Sequence, residues 1–142
     1  MANTTKLIAG VAYTSLITTG LNSLADATAT SASTAIDNTT NLNLLMDISL
    51  MLGSINPSGT PYIEIRKLEL AGDGSTYDDS VLGAWIGRID VTTGSSAKVG
   101  SLIGVPLTLG QFKLIAINRT GVSLAASANT LYYRTYSLQN NA

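Results

Sequence analysis

Apolar and polar residues alternate along most of the chain after residue 25, and this period of two predicts β-strands rather than helices. The clearest strand lies at 42–52, where every even position is apolar while Asn43, Asp47 and Ser49 lie between them. Because alternate side chains of a strand point to opposite faces, one face of this strand is expected to pack in a core. The side chains expected there are Leu42, Leu44, Met46, Ile48, Leu50 and Leu52.

Four further segments carry the same alternation. Residues 26–36 place small apolar side chains at 27, 29, 32 and 35, and they predict a strand that can hold a bulge. In 62–70, the inward side chains change from Ile63 and Ile65 to Leu68 and Leu70. This change of phase between Arg66 and Lys67 indicates a β-bulge or a strand that passes to another sheet.

The next two strands are predicted at 81–93 and 97–109. The first places Trp85, Ile89 and Val91 on one face. The second places on one face Val99, Ile103, Val105, Leu107 and Leu109. Pro106 has no backbone N–H to donate, which puts this second strand at a sheet edge or at a bulge.

Residues 112–118 are apolar on both faces apart from Lys113, which is typical of a central strand, and 122–126 and 130–138 complete the set. About eight short strands without a long helix predict an all-β fold, a single β-sandwich of the Greek-key or jelly-roll kind. We expect the sandwich at 26–142 and an N-terminal arm at 1–25. Gly, Thr, Ser and Asn interrupt the apolar run of the arm, so it predicts neither a membrane span nor a signal peptide.

The composition restricts the possible functions of the protein more than it restricts the possible folds. The chain has 142 residues, 45% of them hydrophobic, and contains no Cys and no His. Disulfides, thiolate metal sites, cysteine nucleophiles and the commonest general base are therefore excluded. Charged residues make up only 12%, and no basic block favours nucleic acid. We therefore predict a protein that is not an enzyme and has no cofactor, small-molecule substrate, nucleic-acid partner or membrane partner.

Two sets of acidic residues are candidates for a catalytic or metal site. Glu64 and Glu69 are expected on opposite faces of one strand, exposed to solvent, and so do not form a catalytic pair. Asp73, Asp78 and Asp79 lie in a polar loop with Gly74, and their oxygens offer a Ca²⁺ site. Their spacing differs from that of an EF-hand, and we interpret the segment as a soluble loop, with metal binding left open.

Near the C-terminus, Tyr132 and Tyr136 are expected to share a strand face with Arg134, whereas Tyr133 faces the other way. Aromatic side chains on a strand serve as cross-strand or subunit contacts, and this is the favoured interpretation. Stacking against sugars or bases is the alternative.

The stretch GQFKLIAINRTGVSLAASANTLYYRTY at 110–136 resembles the ending of a group of small tailed-phage virion proteins. These proteins end with a G-x-F-K-F segment, a turn like N-N-T-G, then A-A-S-G-N-T-L and R-x-Y. The run IDNTTNLNLLMDISLMLGS at 36–54 and the loop with Asp73, Gly74 and Tyr77 are also similar. Ala128 stands where the resemblance leads us to expect Gly, which questions a left-handed turn there.

This resemblance implies a β-sandwich on a phage particle, without catalytic residues, and in particular a capsid decoration (cement) protein. The expected partners are the major capsid protein and neighbouring copies of the chain, and the expected location is the outer surface of the virion capsid. The contact residues expected in the arm and at the C-terminus are Leu7, Ile8, Val11, Tyr13, Leu16, Ile17, Tyr132 and Tyr136. Two alternatives stay open: a head–tail connector or tail component, and a carbohydrate-binding module using Trp85, Tyr132, Tyr136 and the acidic loop.

Overall fold

The structure, a computed structural model, describes residues 4–7, 12–81 and 83–141, with side chains described in 12–81 and 83–137. Within these residues the regular elements are ten β-strands and one 3₁₀ turn at Thr19–Leu21. The strands are β1 (Thr4–Leu7), β2 (Thr14–Ile17), β3 (Ile36–Asp37), β4 (Leu45–Ile55), β5 (Tyr62–Glu69), β6 (Ala84–Asp90), β7 (Ser96–Pro106), β8 (Gln111–Arg119), β9 (Thr130–Tyr136) and β10 (Leu138–Asn141). The prediction of an all-β fold is confirmed.

Eight of these strands form two antiparallel sheets of four, in the orders β2-β9-β4-β7 and β3-β8-β5-β6. The chain alternates between the sheets except in the β5–β6 hairpin. The pairs β2–β9, β3–β8, β4–β7 and β5–β6 are nested about that hairpin. This nesting is the strand order of a jelly roll. β1 and β10 form a separate two-stranded ribbon, so the two ends of the chain pair with each other.

The core lies between the two sheets. From β4 it takes Met46, Ile48, Leu50 and Leu52, all of which are almost completely buried. From β8 it takes Phe112, Leu114 and Ala116, and Ile115 on the opposite face of β8 is also fully buried. β8 lies between β3 and β5, which confirms the predicted central strand.

The sandwich begins before residue 25, where the sequence predicts the boundary between arm and sandwich. β2 is a strand of the first sheet, and both Ile17 and Leu21 are buried in the core. Residues 14–21 therefore belong to the sandwich. The Gly, Thr and Ser residues of this segment hide the strand from the alternation pattern. Only two of the segment's side chains, those of Ile17 and Leu21, are buried in the core.

Residues 26–36 do not form the predicted regular strand. The N–H groups of Ala27, Thr30 and Ser33 donate to the carbonyl oxygens of residues 118, 116 and 114, so three residues of this segment span two residues of β8. Thr30, Ser33 and Ile36 are buried, whereas the small apolar residues at 27, 29, 32 and 35 are exposed. Every third residue of this segment is buried because three of its residues span two residues of β8, one residue more than in a regular strand.

Four strands, β4 to β7, depart from the predicted faces. Leu42 and Leu44 precede β4 and are exposed, so only the last four of the six predicted positions are in the core. β5 keeps an unbroken register with β8, and the predicted bulge lies in its pairing with β6, between Ile65 and Arg66. Leu68 consequently lies outside the central core.

The extra residue of that bulge is Ile86, on β6. Ile65 pairs with Gly87 and Arg66 with Trp85, which leaves Ile86 between them. Ile86 packs against the core, and Trp85 is turned outward with 63% of its surface exposed. The prediction that Trp85 lies on the same face as Ile89 is therefore wrong.

β7 has the opposite phase to the one predicted over most of its length. Val99 and Ile103 are 72% and 70% exposed, whereas Lys98 is buried and Leu102 packs against the core. The phase changes at Gly104, whose φ of +71° is in the left-handed region, and Val105 is buried beyond it. The prediction from Pro106 is confirmed, because β7 is an edge strand.

The turn near the C-terminus retains the left-handed conformation despite its alanine. Ala128 has φ of +63°. Its neighbour Asn129 is buried and accepts a hydrogen bond from the Gly53 N–H at 3.0 Å. The turn is thus held against the end of β4, and this contact outweighs the steric cost of Ala in that conformation.

Candidate binding surface

The sheet β2-β9-β4-β7 presents a broad outer face with few charges. Ser15 pairs with Tyr132, Tyr132 with Ser49, and Ser49 with Ser101, which gives one row across all four strands. Thr130, Met51 and Val99 form a second row on the same side. We define the outer face as Tyr13, Ser15, Asp47, Ser49, Met51, Val99, Ser101, Ile103, Thr130, Tyr132 and Arg134.

The two charged residues of the outer face neutralise each other. Arg134 contacts Oδ2 of Asp47 with Nε at 2.9 Å and Nη2 at 2.8 Å. The other carboxylate oxygen, Oδ1, accepts hydrogen bonds from the Gly104 N–H at 2.9 Å and the Tyr136 hydroxyl at 3.1 Å. A carboxylate with this many donors is stabilised in its ionised form even though it is buried.

These contacts shift the pKa values of the group. Burial raises the pKa of Asp47, but hydrogen bonds from Gly104, Arg134 and Tyr136 outweigh it, and the pKa lies below its usual value. Burial and the hydrogen bond to Asp47 raise the pKa of Tyr136. The pair is therefore charged and the phenol neutral at physiological pH, which leaves no net charge at this place.

Arg134 also carries an aromatic contact. The Tyr13 ring lies 4.6 Å from the guanidinium carbon of Arg134, a cation–π distance. Tyr13 is 38% exposed, so the arginine is held between the carboxylate beneath and the ring beside it. The result at the β2 side of the outer face is a patch that has no net charge and an aromatic rim.

The structure brings together only part of the predicted contact set. Tyr13 and Tyr132 lie on the outer face, and Tyr136 lies beside them but is buried against Asp47. Ile17 is in the core and Leu16 packs against it, so neither is exposed for contact. Leu7 lies in β1, where its backbone pairs with Leu138. Ile8 and Val11 lie outside the described residues.

Sequence reasoning missed Asp47, Met51, Val99 and Ile103 as members of this surface. The alternation indicates Asp47 only as a polar position opposite the apolar face of its strand. Met51 is 47% exposed and is paired with Val99. Alternation cannot distinguish an exposed apolar pair from a core pair. The apolar character of these residues was therefore visible in the sequence, but their place on the surface was not.

The opposite sheet carries a second buried charge. Glu64 was expected to be exposed, but it is buried and contacts Arg66 Nε at 2.5 Å and Arg119 Nε at 3.3 Å. Burial raises the pKa of Glu64, and the hydrogen bonds from both arginines lower it by more. Glu69 instead pairs with Lys67. The two glutamates are thus separated, and each is used in a structural ion pair.

The acidic loop uses its carboxylates internally. Asp73 accepts hydrogen bonds from the N–H groups of Ser75 and Thr76 and from the Thr76 hydroxyl, which lower its pKa to about 2. Asp78 accepts from the Glu69 N–H and Asp79 from the Val81 N–H. Within the described residues, no three carboxylates converge as a metal site. The same part of the chain contains no helix long and apolar enough to cross a membrane.

A small polar pocket lies where β2 and β9 approach β3. Its volume is about 190 Å³, and its lining includes Asp37, Asn41, Asn43 and Thr135. Trp85, Tyr132, Tyr136 and the acidic loop, proposed together as a sugar site, do not surround it or converge elsewhere. Trp85 lies in the opposite sheet to the two tyrosines.

Comparisons of the chain with protein-family models, with curated proteins and with solved structures give no significant match.

Proposed function

We propose that the protein is a non-enzymatic structural component of a tailed-phage particle, a decoration protein that binds the major capsid protein on the outside of the capsid. The observation that carries the proposal is the outer face. It is broad and apolar or uncharged in most positions, and its one ion pair is internally neutralised. Contact with another protein over such a face requires little desolvation of charge.

The arrangement of chemistry supports a binding role rather than catalysis. The buried carboxylates Asp47 and Glu64 are each held by arginine, and the acidic loop binds its own backbone. The chain also lacks His and Cys. The jelly roll is common among viral proteins but also among lectins, so the fold supports the proposal only by analogy.

The test is co-sedimentation with expanded capsids of the phage whose genome encodes the chain. Tyr13→Glu and Ser15→Glu introduce charge at exposed positions of the outer face and are expected to abolish binding. Trp85→Glu, at an exposed aromatic position on the other sheet, is the matched control and is expected to bind. Retained binding of both outer-face variants, or absence of the protein from virions by mass spectrometry, contradicts the proposal.

The arm needs its own variant. Deletion of residues 1–25 would remove β2 and Leu21, and therefore part of the core. Deletion of residues 1–11 retains both. If this shorter deletion weakens binding while the Tyr13→Glu variant also does, the arm and the face both contribute to the contact.

A head–tail connector or tail component is separated from a decoration protein by position. Electron microscopy of particles with labelled protein is expected to show label across the capsid lattice. Label confined to the tail or its vertex favours the alternative.

The polar pocket favours carbohydrate binding as a second candidate, because Asn and Asp side chains in a recess suit sugar hydroxyl groups. A glycan array with the wild type and the Asn41→Ala variant tests it. Binding of a glycan that the variant loses would support this function in place of capsid binding or beside it.

A further inference from the structure

We infer that β7 pairs edge to edge with β7 of a second copy, in antiparallel orientation about a two-fold axis at Ser101, so that the chain is a dimer. β7 is 11 residues long and ends the sheet β2-β9-β4-β7. It pairs with β4 on one side, and in the described part of the chain no strand pairs with its other side. This inference does not depend on the proposed function.

The other three sheet edges are protected. β2 has four residues and a register shift between Ser15 and Ile17, and β3 has two residues. β6 carries the bulge at Ile86 and the exposed ion pair of Arg88 with Asp90. Short strands, bulges and exposed charges are the usual features that prevent edge pairing. β7 has a bulge at Ile103 and Gly104, but from Lys98 to Leu102 it keeps an unbroken register with β4. Of the four edge strands, it alone combines such a stretch with exposed β-branched side chains and no exposed charge.

Lys98 is the one charged residue of β7, and its charge is already satisfied. Its ammonium group donates to the carbonyl oxygens of Thr93 and Gly94 at 3.2 and 2.5 Å and to the Ser96 hydroxyl at 2.9 Å. The side chain points inward and is buried. Pairing at the edge therefore adds no desolvation of this charge, and the strand remains free to take a partner.

The outward side chains of β7 match a second copy in one register. Val99 and Ile103 lie two residues before and two residues after Ser101. In an antiparallel pair centred on Ser101, each Val99 lies opposite Ile103 of the other copy. Both are β-branched and about 70% exposed in the single chain, and such cross-strand pairs stabilise sheets. Gly104 and Pro106 limit the pairing at the C-terminal end of the strand.

The dimer would have a consequence for the surface described above. A two-fold axis perpendicular to the sheet joins the two four-stranded sheets into one of eight strands, with both outer faces on the same side. Two copies of the outer face would then be presented together, and the second contact with a common partner surface would be intramolecular.

The test is the mass of the purified protein in solution, by light scattering and sedimentation equilibrium. The wild type is expected to have twice the 14.7 kDa mass of the chain. Val99→Lys and Ile103→Glu each place a charge against an apolar partner, and each is expected to weaken dimerisation by about tenfold or more. Val81→Lys, at an exposed apolar position in a loop, is the control and is expected to remain dimeric.

A mixture of the two charged variants gives the most specific test, because its outcome depends on the register of the pairing between the two β7 strands. In an equimolar mixture of Val99→Lys and Ile103→Glu, the introduced ammonium faces the introduced carboxylate, and the unchanged Ile103 and Val99 face each other. The mixture and the Val99→Lys/Ile103→Glu double variant are both expected to form dimers. A wild type that stays monomeric at about 1 mM overturns the inference. It is also overturned if the single variants remain dimeric or if neither the mixture nor the double variant restores the dimer.

Discussion

Asp47 and Arg134 form a two-point ion pair in which the carboxylate is 2% exposed and the guanidinium about one-third exposed. This difference in exposure matters because the buried Asp47 carboxylate is stabilised by Arg134 in place of water. Asp47 lies on β4 and Arg134 directly opposite on β9, so the pair joins two central strands of the sheet at its outer face.

The Asp47→Asn variant is expected to lower the free energy of unfolding by about 1–3 kcal/mol, because a buried amide NH₂ would face donors in place of a charged acceptor. Urea unfolding measures the loss. Asp90→Asn is the matched control, since its ion pair with Arg88 is exposed on both sides, and it is expected to change stability by less than about 0.5 kcal/mol. An equal loss in both variants would contradict the structural role of Asp47.

Stability is expected to fall in acid through Asp47 and Glu64 together. Both pKa values are lowered in the folded protein, so the folded state binds fewer protons than the unfolded state. Their contribution is complete above the unfolded pKa values of about 4 and is lost as the pH falls through the lower folded values. Urea midpoints measured between about pH 6 and pH 3 should therefore fall, and in the Asp47→Asn/Glu64→Gln variant this dependence should be flatter. The part contributed by Asp73, whose folded pKa is also lowered, to about 2, should remain in that variant. An unchanged slope in that variant would show that other carboxylates dominate.

Alternation predicted the all-β sandwich class and the central position of β8, because these depend on how many faces of a strand are apolar. The edge position of β7 was predicted from Pro106, which has no backbone N–H to donate. It failed where the backbone inserts a residue. The bulges at Ile86 and Gly104 reverse the faces of Trp85 and Val99, and neither has a local signal that is stronger than the alternation itself.

The outer face was predictable only through its tyrosines. Asp47 and Arg134 are 87 residues apart in sequence, and their pairing depends on the register of β4 with β9. That register is set by tertiary packing, which no local pattern contains.

The left-handed Ala128 leads to a prediction of increased stability. Ala128→Gly removes a steric cost of about 1–2 kcal/mol from the folded state. The greater freedom of glycine in the unfolded chain lowers the stability by about 0.5–1 kcal/mol. A net gain of about 0.5–1 kcal/mol in the free energy of unfolding is expected. Ala126→Gly, two residues earlier and also exposed, is the control and should be neutral or destabilising. A loss of stability in Ala128→Gly would indicate that its methyl group packs usefully against the turn.

The segment at 26–36 depends on side-chain oxygens that replace strand carbonyl groups. Thr30 Oγ1 accepts from the Ala116 N–H at 3.1 Å, and Ser33 Oγ accepts from the Leu114 N–H at 3.0 Å. Thr30→Val keeps the shape of the side chain but leaves a buried N–H of β8 without its acceptor, which should cost about 1–3 kcal/mol. Thr34→Val, at an exposed position of the same segment, should change stability by less than about 0.5 kcal/mol. Amide hydrogen exchange gives the site-specific measurement: the Ala116 N–H should exchange faster in Thr30→Val, by more than the global loss of stability explains. If protection of Ala116 is unchanged, a backbone carbonyl has taken over the bond, and the three-residue repeat does not depend on Thr30.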